Sequence, residues 1–452
     1  MAPDRELFLA DLPPTVVKVL ASLADAGHEA ALVGGCLRDR LLGRPLTDWD
    51  AATAARPEEV AALFPGASWE NRFGTVTVAG PPAVEVTSYR AEGPYRDRRR
   101  PDEVRFGVSL TDDLSRRDFT VNAMAWVPED LAAGRGRLVD PFGGEDDLAA
   151  RLLRTVGNPR ERFAEDALRL VRACRIAGRY EMRIDPATEA AIVEMAPTVG
   201  GVSGERIRDE LLRILALDPR PSGAFGLLER LGLLRFVLPE LAALRGVPQS
   251  KAIPGDALDH VMHAVDTSPI TDDPDLRLAV LLHDVGKSTT FRDGHFIGHE
   301  TVGAEMADAI LRRLRLPRGR ADRIVAVIRH HMYDYEPEWT DAAVRRFIRR
   351  LHGVDRDLLF SLRRADNEAS GAGAEGEANQ AELEERIGAQ LASEPGLLVH
   401  RRLVIDGDDL QRELGMQPGP EIGAILDRLT DLVIEDPSRN ERSTLLELAR
   451  ER

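Results

Sequence analysis

The 452-residue sequence is short of cysteine, of long apolar runs and, on average, of positive charge. Its two cysteines, Cys36 and Cys174, cannot build a disulfide framework or a cysteine zinc site. No apolar run approaches the ~20 residues that a membrane-spanning helix requires, so no membrane partner is expected. The opening stretch MAPDRELFLADLPP has neither the basic start nor the apolar core of a secretory signal, and a cytoplasmic protein is expected. A formal net charge of -16 argues, as an average, against nucleic acid, because phosphate contacts draw on lysine and arginine. The charge is uneven, however. Residues 151–183 carry nine arginines against Glu161, Glu165, Asp166 and Glu181, whereas 366–394 is almost wholly acidic. A basic patch on an acidic protein still suits an RNA ligand.

What is present suits a globular chain: 43% hydrophobic and 30% charged residues, with length for about two to four domains. The first ~155 residues mix periods. EAALV (29–33), GTVTVAG (74–80), AVEVTSY (83–89) and RLV (137–139) read as strands, and 14–27, 36–43 and 56–64 as helices. Beyond Arg151 the pattern is almost wholly helical, including an apolar helical spacing over 158–180. The small-residue acidic stretch NEASGAGAEGEANQ (367–380) reads as a loose loop. The fold class is therefore α+β, with a mixed head followed by helical regions.

Two features of the head carry chemistry. Gly34-Gly35 ends an apolar strand and opens a helix, a place where backbone amides approach phosphate. Asp48 and Asp50 alternate on a strand and so share a face. Two carboxylates there repel unless cations lie between them, and hard divalent ions are the natural partners. Glu85 alternates with Val84 and Val86 and is a candidate third carboxylate.

The segment GGCLRDRLLGRPLTDWDAAT (34–53) resembles the signature of polymerase-beta-type nucleotidyltransferases. More closely, it resembles the class II tRNA CCA-adding enzymes and bacterial poly(A) polymerases. Further blocks follow in family order: VEVTSYRAEGPYRDRRRPDEVRF (84–106), RRDFTVNAMA (116–125), DPFGGEDDL (140–148), EDALRLVRACR (165–175) and ERIRDELLRIL (205–215). The resemblance implies Mg2+ on Asp48 and Asp50, with Glu85 as third carboxylate. It implies a triphosphate cradle at Gly34, Gly35, Arg38 and Asp39, and contacts to ribose and phosphates from Arg117, Asp118 and Asn122. Residues 92–104 match a mobile loop used in adding the last nucleotide.

In the EDALRLVRACR block, which also carries Arg172, the resemblance assigns base choice to Asp166 and Arg169. At i and i+3 on one helix they would share a face. Asp offers acceptors and Arg donors. Cytosine and adenine present an exocyclic amine beside a ring-nitrogen acceptor, whereas uracil and guanine place a carbonyl against Asp. A buried unpaired acceptor costs about 1–3 kcal/mol, enough to reject both without a nucleic-acid template.

A second cluster follows: His260, His283-Asp284, His299, His330-His331 and Asp366. Imidazole with carboxylate suits a transition metal or magnesium. The pattern resembles HD-superfamily metal-dependent phosphohydrolases. It implies His260, His283, Asp284 and Asp366 as core ligands of a divalent metal, with His299 and one of His330 or His331 for a second. The tail, LVIDGDDLQRELGMQPGPEIGAILDRLTDLVIED, resembles the C-terminal helical segment of bacterial CCA-adding enzymes.

The expectation is a nucleotidyltransferase head (15–155), a helical neck that recognises RNA and nucleotide (156–250), an HD domain (251–370) and a helical tail (381–452). The resemblance implies template-independent addition of CCA to tRNA from CTP and ATP. Poly(A), A-only and CC-only addition remain alternatives within the class. A chain acting mainly as an HD phosphohydrolase, or as an RNA-binding protein, remains outside it. Oligomeric state is left open.

Overall fold

The computed structural model describes residues 5–9, 11–44, 46, 48–70, 74–92, 104–249, 251, 254–271, 273–393 and 403–451. The chain divides into two compact units, Met1–Pro239 and Glu240–Arg452.

The first unit is built on an eight-stranded sheet. Its strands are β1 (Arg5–Phe8), β2 (Ala30–Val33), β3 (Trp49–Thr53), β4 (Ser68–Glu70), β5 (Thr75–Val78), β6 (Val84–Ser88), β9 (Ala125–Asp130) and β10 (Arg135–Val139). Between β6 and β9 in sequence lies a separate ribbon, β7 (Arg90–Glu92) with β8 (Val104–Phe106). The sheet order is β1-β10-β9-β2-β3-β6-β5-β4. The central strands are short and apolar because helices cover them. Pro14–Asp25 and Pro57–Leu63 bury Val16, Val19, Leu20, Leu23 and Val60 toward one face. On β6 the alternation resolves as expected: Val84 and Val86 are buried and Glu85 is exposed.

Parallel pairing of β3 with β6 sets Asp50 opposite Glu85, and antiparallel pairing of β5 with β6 sets Thr77 opposite Glu85. These side chains share the face that lines a cleft. Farther along the same sheet, Ala31, Val33, Ala52 and Ala125 pack with Leu110 and Leu114 of the helix Leu110–Ser115. That helix starts in a capping box, in which Ser109 Oγ accepts from Asp112 N at 3.2 Å.

Helices complete the unit. The expected helix over 158–180 is two helices, Pro159–Glu165 and Leu168–Arg179, joined by β-region backbone at Asp166 (φ -151°, ψ 104°). The Asp166 carboxylate accepts from Leu168 N at 3.1 Å, a local bond that competes with helical continuation. Leu168–Arg179 then crosses Ser222–Arg230 at Gly178, where a Cβ would lie 2.5 Å from the Ala224 nitrogen. A strand pair, β11 (Leu152–Leu153) with β12 (Arg183–Ile184), ties the ends of this segment.

The second unit is helical. Ala257–Thr267, Asp275–Leu282, His299–Arg313, Arg318–His330 and Arg356–Ser370 surround the histidine cluster. Gly286 meets Gly303 so closely that a Cβ on it would lie 2.2 Å from His299 O, which seats the His283-Asp284 turn against the helix His299–Arg313. Residues 367–380 are not a loop. The helix Arg356–Ser370 ends at left-handed Gly371 (φ 73°) and a new helix runs Gly373–Ser393. Alanine and glutamate favour the helix, and Gln380, Leu383 and Ile387 give it a buried side. The helices Gly407–Leu414, Pro420–Glu435 and Arg442–Arg450 share a core of Leu410, Leu429, Val433 and Leu445. No helix among the described residues is long and apolar enough to cross a membrane.

Candidate nucleotidyl-transfer site and a histidine-rich centre

The cleft of the first unit, about 740 Å³, is lined by Asp48, by Asp50 and Glu85 from the sheet, by Gly34, Gly35, Arg38 and Asp39 from the turn and helix after β2, and by Arg117, Asp118 and Asn122. Asp48 lies one residue ahead of β3, and Asp50 within it. Burial, with Glu85 and Asp48 nearby, raises the Asp50 carboxyl to about 6 despite Arg117. Three carboxylates on one face with partial desolvation fit a hard divalent cation as their counter-charge. Gly34 (φ 77°) brings the turn close: a Cβ there would lie 2.9 Å from Arg117 Nη1 and 3.7 Å from Asp50 Oδ2.

A continuous polar network lines the same cleft. Arg38 donates to Asp39 Oδ1 (3.0 Å), Asn122 Oδ1 (2.6 Å) and the Tyr180 hydroxyl (2.7 Å), and Tyr180 donates to Asp39 Oδ1 (2.6 Å). Asn122 donates to Asp118 Oδ1 (3.0 Å), whose Oδ2 accepts from Arg172 (3.1 Å). Arg172 and Arg175 both donate to Glu210, which is 1% exposed. Burial would raise Asp118, yet Arg172 and the Asn122 amide pull it down to about 2. In the same way Arg172 and Arg175 hold buried Glu210 below its usual range. Asp113, also buried, accepts from Arg116 (2.8 Å) and Arg117 (3.3 Å) and so aims Arg117 along the cleft.

Two sequence expectations change here. Asp166 and Arg169 do not share one helix, since Asp166 closes the first helix and Arg169 lies in the second. Each is engaged elsewhere: Asp166 Oδ2 accepts from Arg206 (2.6 Å), and Arg169 pairs with Glu165 and donates to the Arg162 and Arg116 carbonyls (2.9 and 3.2 Å). Arg169 lines the cleft, and Arg172, Arg175 and Arg179 line it too. The basic segment is not a uniformly free patch, because Arg154, Arg160, Arg162 and Arg172 are ion-paired. The expected loop of 92–104 falls largely outside the described residues. Tyr180, Asp113 and Glu210 were not singled out in sequence; Glu210 lies inside the ERIRDELLRIL block, which was the available signal.

In the second unit His260, His283, His299, His331, Asp284 and Asp366 converge. His260 Nε2 lies 3.1 Å from Asp366 Oδ1 and 3.5 Å from Asp284 Oδ2. His283 Nε2 lies 3.3 Å from Asp284 Oδ2, and His299 Nε2 3.4 Å from Asp284 Oδ1. Two triads are close enough to share an ion, His260–His283–Asp366 and His283–Asp284–His331. The fit rests on the rings. His283, His299 and His331 each direct Nδ1–H to a carbonyl three residues back (2.7, 2.8 and 2.7 Å), and their buried Nε2 atoms have no hydrogen-bond partner. Burial drives His331 down to about 3, the neutral ligand form. Of the adjacent pair, His331 joins the centre and half-buried His330 does not. Burial would raise Asp284, but His283 and Lys287 hold it well below the usual carboxylate range. Lys287 Nζ is 2.5 Å from Asp284 Oδ2; it ends the LLHDVGK stretch and was not singled out from the sequence.

Comparison with known proteins agrees with this geometry. Residues 30–154 match the poly A polymerase head domain, 181–244 the "probable RNA and SrmB-binding site of polymerase A", and 259–384 the HD domain. The chain is 37% identical to the A-adding tRNA nucleotidyltransferase of Deinococcus radiodurans, over 89% of this chain and 91% of that protein. The chain belongs to the family of A-adding and CCA-adding tRNA nucleotidyltransferases. Within that family it is also 32% identical to the CCA-adding enzyme of Geobacillus stearothermophilus, over 94% of each chain. The crystal structure of the Bacillus stearothermophilus CCA-adding enzyme in complex with CTP superposes with a TM-score of 0.71 at 28% identity, covering 97% of this chain and 98% of that one. The protein is accordingly a nucleotidyltransferase with an α+β head and an HD domain.

Proposed function

We propose that the enzyme adds C, C and A to the 3′ end of tRNA without a nucleic-acid template, using CTP and ATP. The observation that carries this is the cleft that Asp48, Asp50 and Glu85 line together with Arg38, Asn122, Asp118 and Arg172, the last four joined by hydrogen bonds. The tRNA 3′-hydroxyl attacks the α-phosphate, the new phosphodiester forms, and pyrophosphate leaves with the bridging oxygen. Asp48, Asp50 and Glu85 would hold Mg2+, which supplies charge stabilisation to attacking and leaving oxygens. Gly34 and Gly35 admit the triphosphate against backbone, Arg117 is aimed by Asp113, and Arg38, locked by Tyr180 and Asp39, holds Asn122 in place.

Asp166 and Arg169 read the base edge after exchanging partners. Asp166 must release Arg206, and Arg169 must release Glu165. Addition of A alone to tRNA ending in CC is the second reading, favoured by the 37% identity to an A-adding relative. Incubation with tRNAs ending before C74 and after C75, with CTP and ATP singly and together, separates the two. Full addition requires C incorporation on the shorter tRNA; A incorporation on the longer one only supports the second reading. D48A and D50A should abolish every addition.

For the histidine centre we propose a phosphohydrolase role, with a divalent metal on His283, Asp284 and His331. The three partnerless Nε2 atoms support it. H283A should remove phosphoester hydrolysis and leave nucleotide addition intact.

A further inference from the structure

The histidine centre contains a group that its ligand set does not call for. Lys251 Nζ lies 3.0 Å from His260 Nε2, 3.0 Å from Asp366 Oδ1 and 2.7 Å from Ser370 Oγ. The tautomer of His260 is fixed by its other nitrogen, since Nδ1 faces the Ala369 carbonyl at 3.4 Å and donates to it. Nε2 then carries a lone pair between Lys251 Nζ (3.0 Å) and Asp366 Oδ1 (3.1 Å), and since the carboxylate oxygen is itself an acceptor, only the ammonium can donate to it. That lone pair is the one His260 would give to a metal. It serves one partner at a time. His283, His299 and His331 differ, because their Nε2 lone pairs are unclaimed.

Charge points the same way. Asp366 is held on Oδ1 by Lys251 and on Oδ2 by Arg363 (3.2 Å), and Asp284 by Lys287. The two buried carboxylates are matched by cations of the chain itself. Asp366 pairs with two cations, Lys251 and Arg363, and Asp284 with Lys287, so a divalent ion on the His260–Asp366 side meets more resident positive charge in a buried place than one on the Asp284 side.

We propose that Lys251 is a resident cation of the histidine centre, excluding a divalent ion from the His260–Asp366 side, so that the protein takes its first ion at His283–Asp284–His331. Ligation by His260 and retention of Lys251 are mutually exclusive. The proposal is independent of the nucleotidyl-transfer reading.

Mn2+ binding to the metal-stripped full chain tests it, with D48A and D50A removing the head's carboxylates and free Mn2+ read by electron paramagnetic resonance. The unmodified centre should bind one Mn2+ tightly and a second at least about tenfold more weakly. K251M, which keeps the volume and removes the charge, should tighten the second site by about tenfold or more, and K251M with H260A should lose that gain. K251A carries the same expectation if K251M does not fold. Two equally tight sites in the unmodified centre, unchanged or weaker binding in the lysine variants, or a gain that survives H260A would each overturn the proposal.

Discussion

Asp118 offers a direct measure of the network that joins the sheet to the helices of the first unit. It accepts from Asn122 and Arg172, and these hold its carboxyl at about 2 against an ordinary 3.8. A depressed folded-state value contributes stability above the unfolded pKa, lost as pH falls through the folded one. That lowering corresponds to about 2 kcal/mol at neutral pH and about half as much at pH 3. D118N removes the charge and keeps the shape. Three of the four tryptophans, Trp49, Trp69 and Trp126, belong to the first unit, so W339F makes tryptophan fluorescence report that unit alone. Urea unfolding of W339F with and without D118N should show a gap of about 2 kcal/mol at pH 7 that narrows toward pH 3. The part that varies with pH reads the charge; any constant remainder reads the misfit of the amide. A gap that stays flat between pH 7 and pH 3, or one below about 0.5 kcal/mol at pH 7, would refute the electrostatic account of this contact.

Three further outcomes follow from the same geometry. Replacing Asp166 and Arg169 with alanine should raise UTP and GTP incorporation relative to CTP and ATP by about tenfold or more, read as kcat/KM ratios; unchanged ratios would remove both residues from base choice. G178V should destabilise the first unit by about 1–3 kcal/mol in the fluorescence assay, because its Cβ meets the Ala224 backbone; a neutral change contradicts the helix crossing. Apparent Mg2+ affinity in nucleotide addition should rise with pH through about 6, since burial holds Asp50 there and only its ionised form binds a cation; a flat profile from pH 5 to 8 would count against Asp50 as a ligand.

The sequence made the head legible where local rules suffice. Alternation placed Glu85 outward from Val84 and Val86, and β3 carries Asp50 as expected. What it left unread depends on distant partners. The tie between Tyr180 and Asp39 spans 141 residues, and Lys251 meets Asp366 across 115; neither leaves a periodicity or a spacing to detect. The acidic stretch 367–380 reads as a loop because its composition is polar and small, while Gln380, Leu383 and Ile387, which give the helix its packed side, fall at or beyond its end. The choice of His331 over His330 is a matter of helix phase, fixed only when Arg318–His330 is packed.

The proposed reading of the base by Asp166 and Arg169 bears on how selection is coupled to binding. A pair already aligned would offer its acceptors and donors to any base. Here Asp166 is held by Arg206 and Arg169 by Glu165, so exposing either breaks a charge-assisted bond. On the proposed reading cytosine and adenine would repay both losses, giving an amine to Asp and a ring nitrogen to Arg. Uracil and guanine would leave Asp facing a carbonyl, and the pair would then do better with its resident partners. Discrimination would then include the free energy of the displaced bonds as well as the mismatch itself. Removing a resident partner separates the two contributions: E165Q should free Arg169, lower KM for CTP and ATP, and narrow their margin over UTP. If E165Q instead left that margin as it is while KM fell, Glu165 would be a competitor for binding alone, and selection would reside wholly in the base contact.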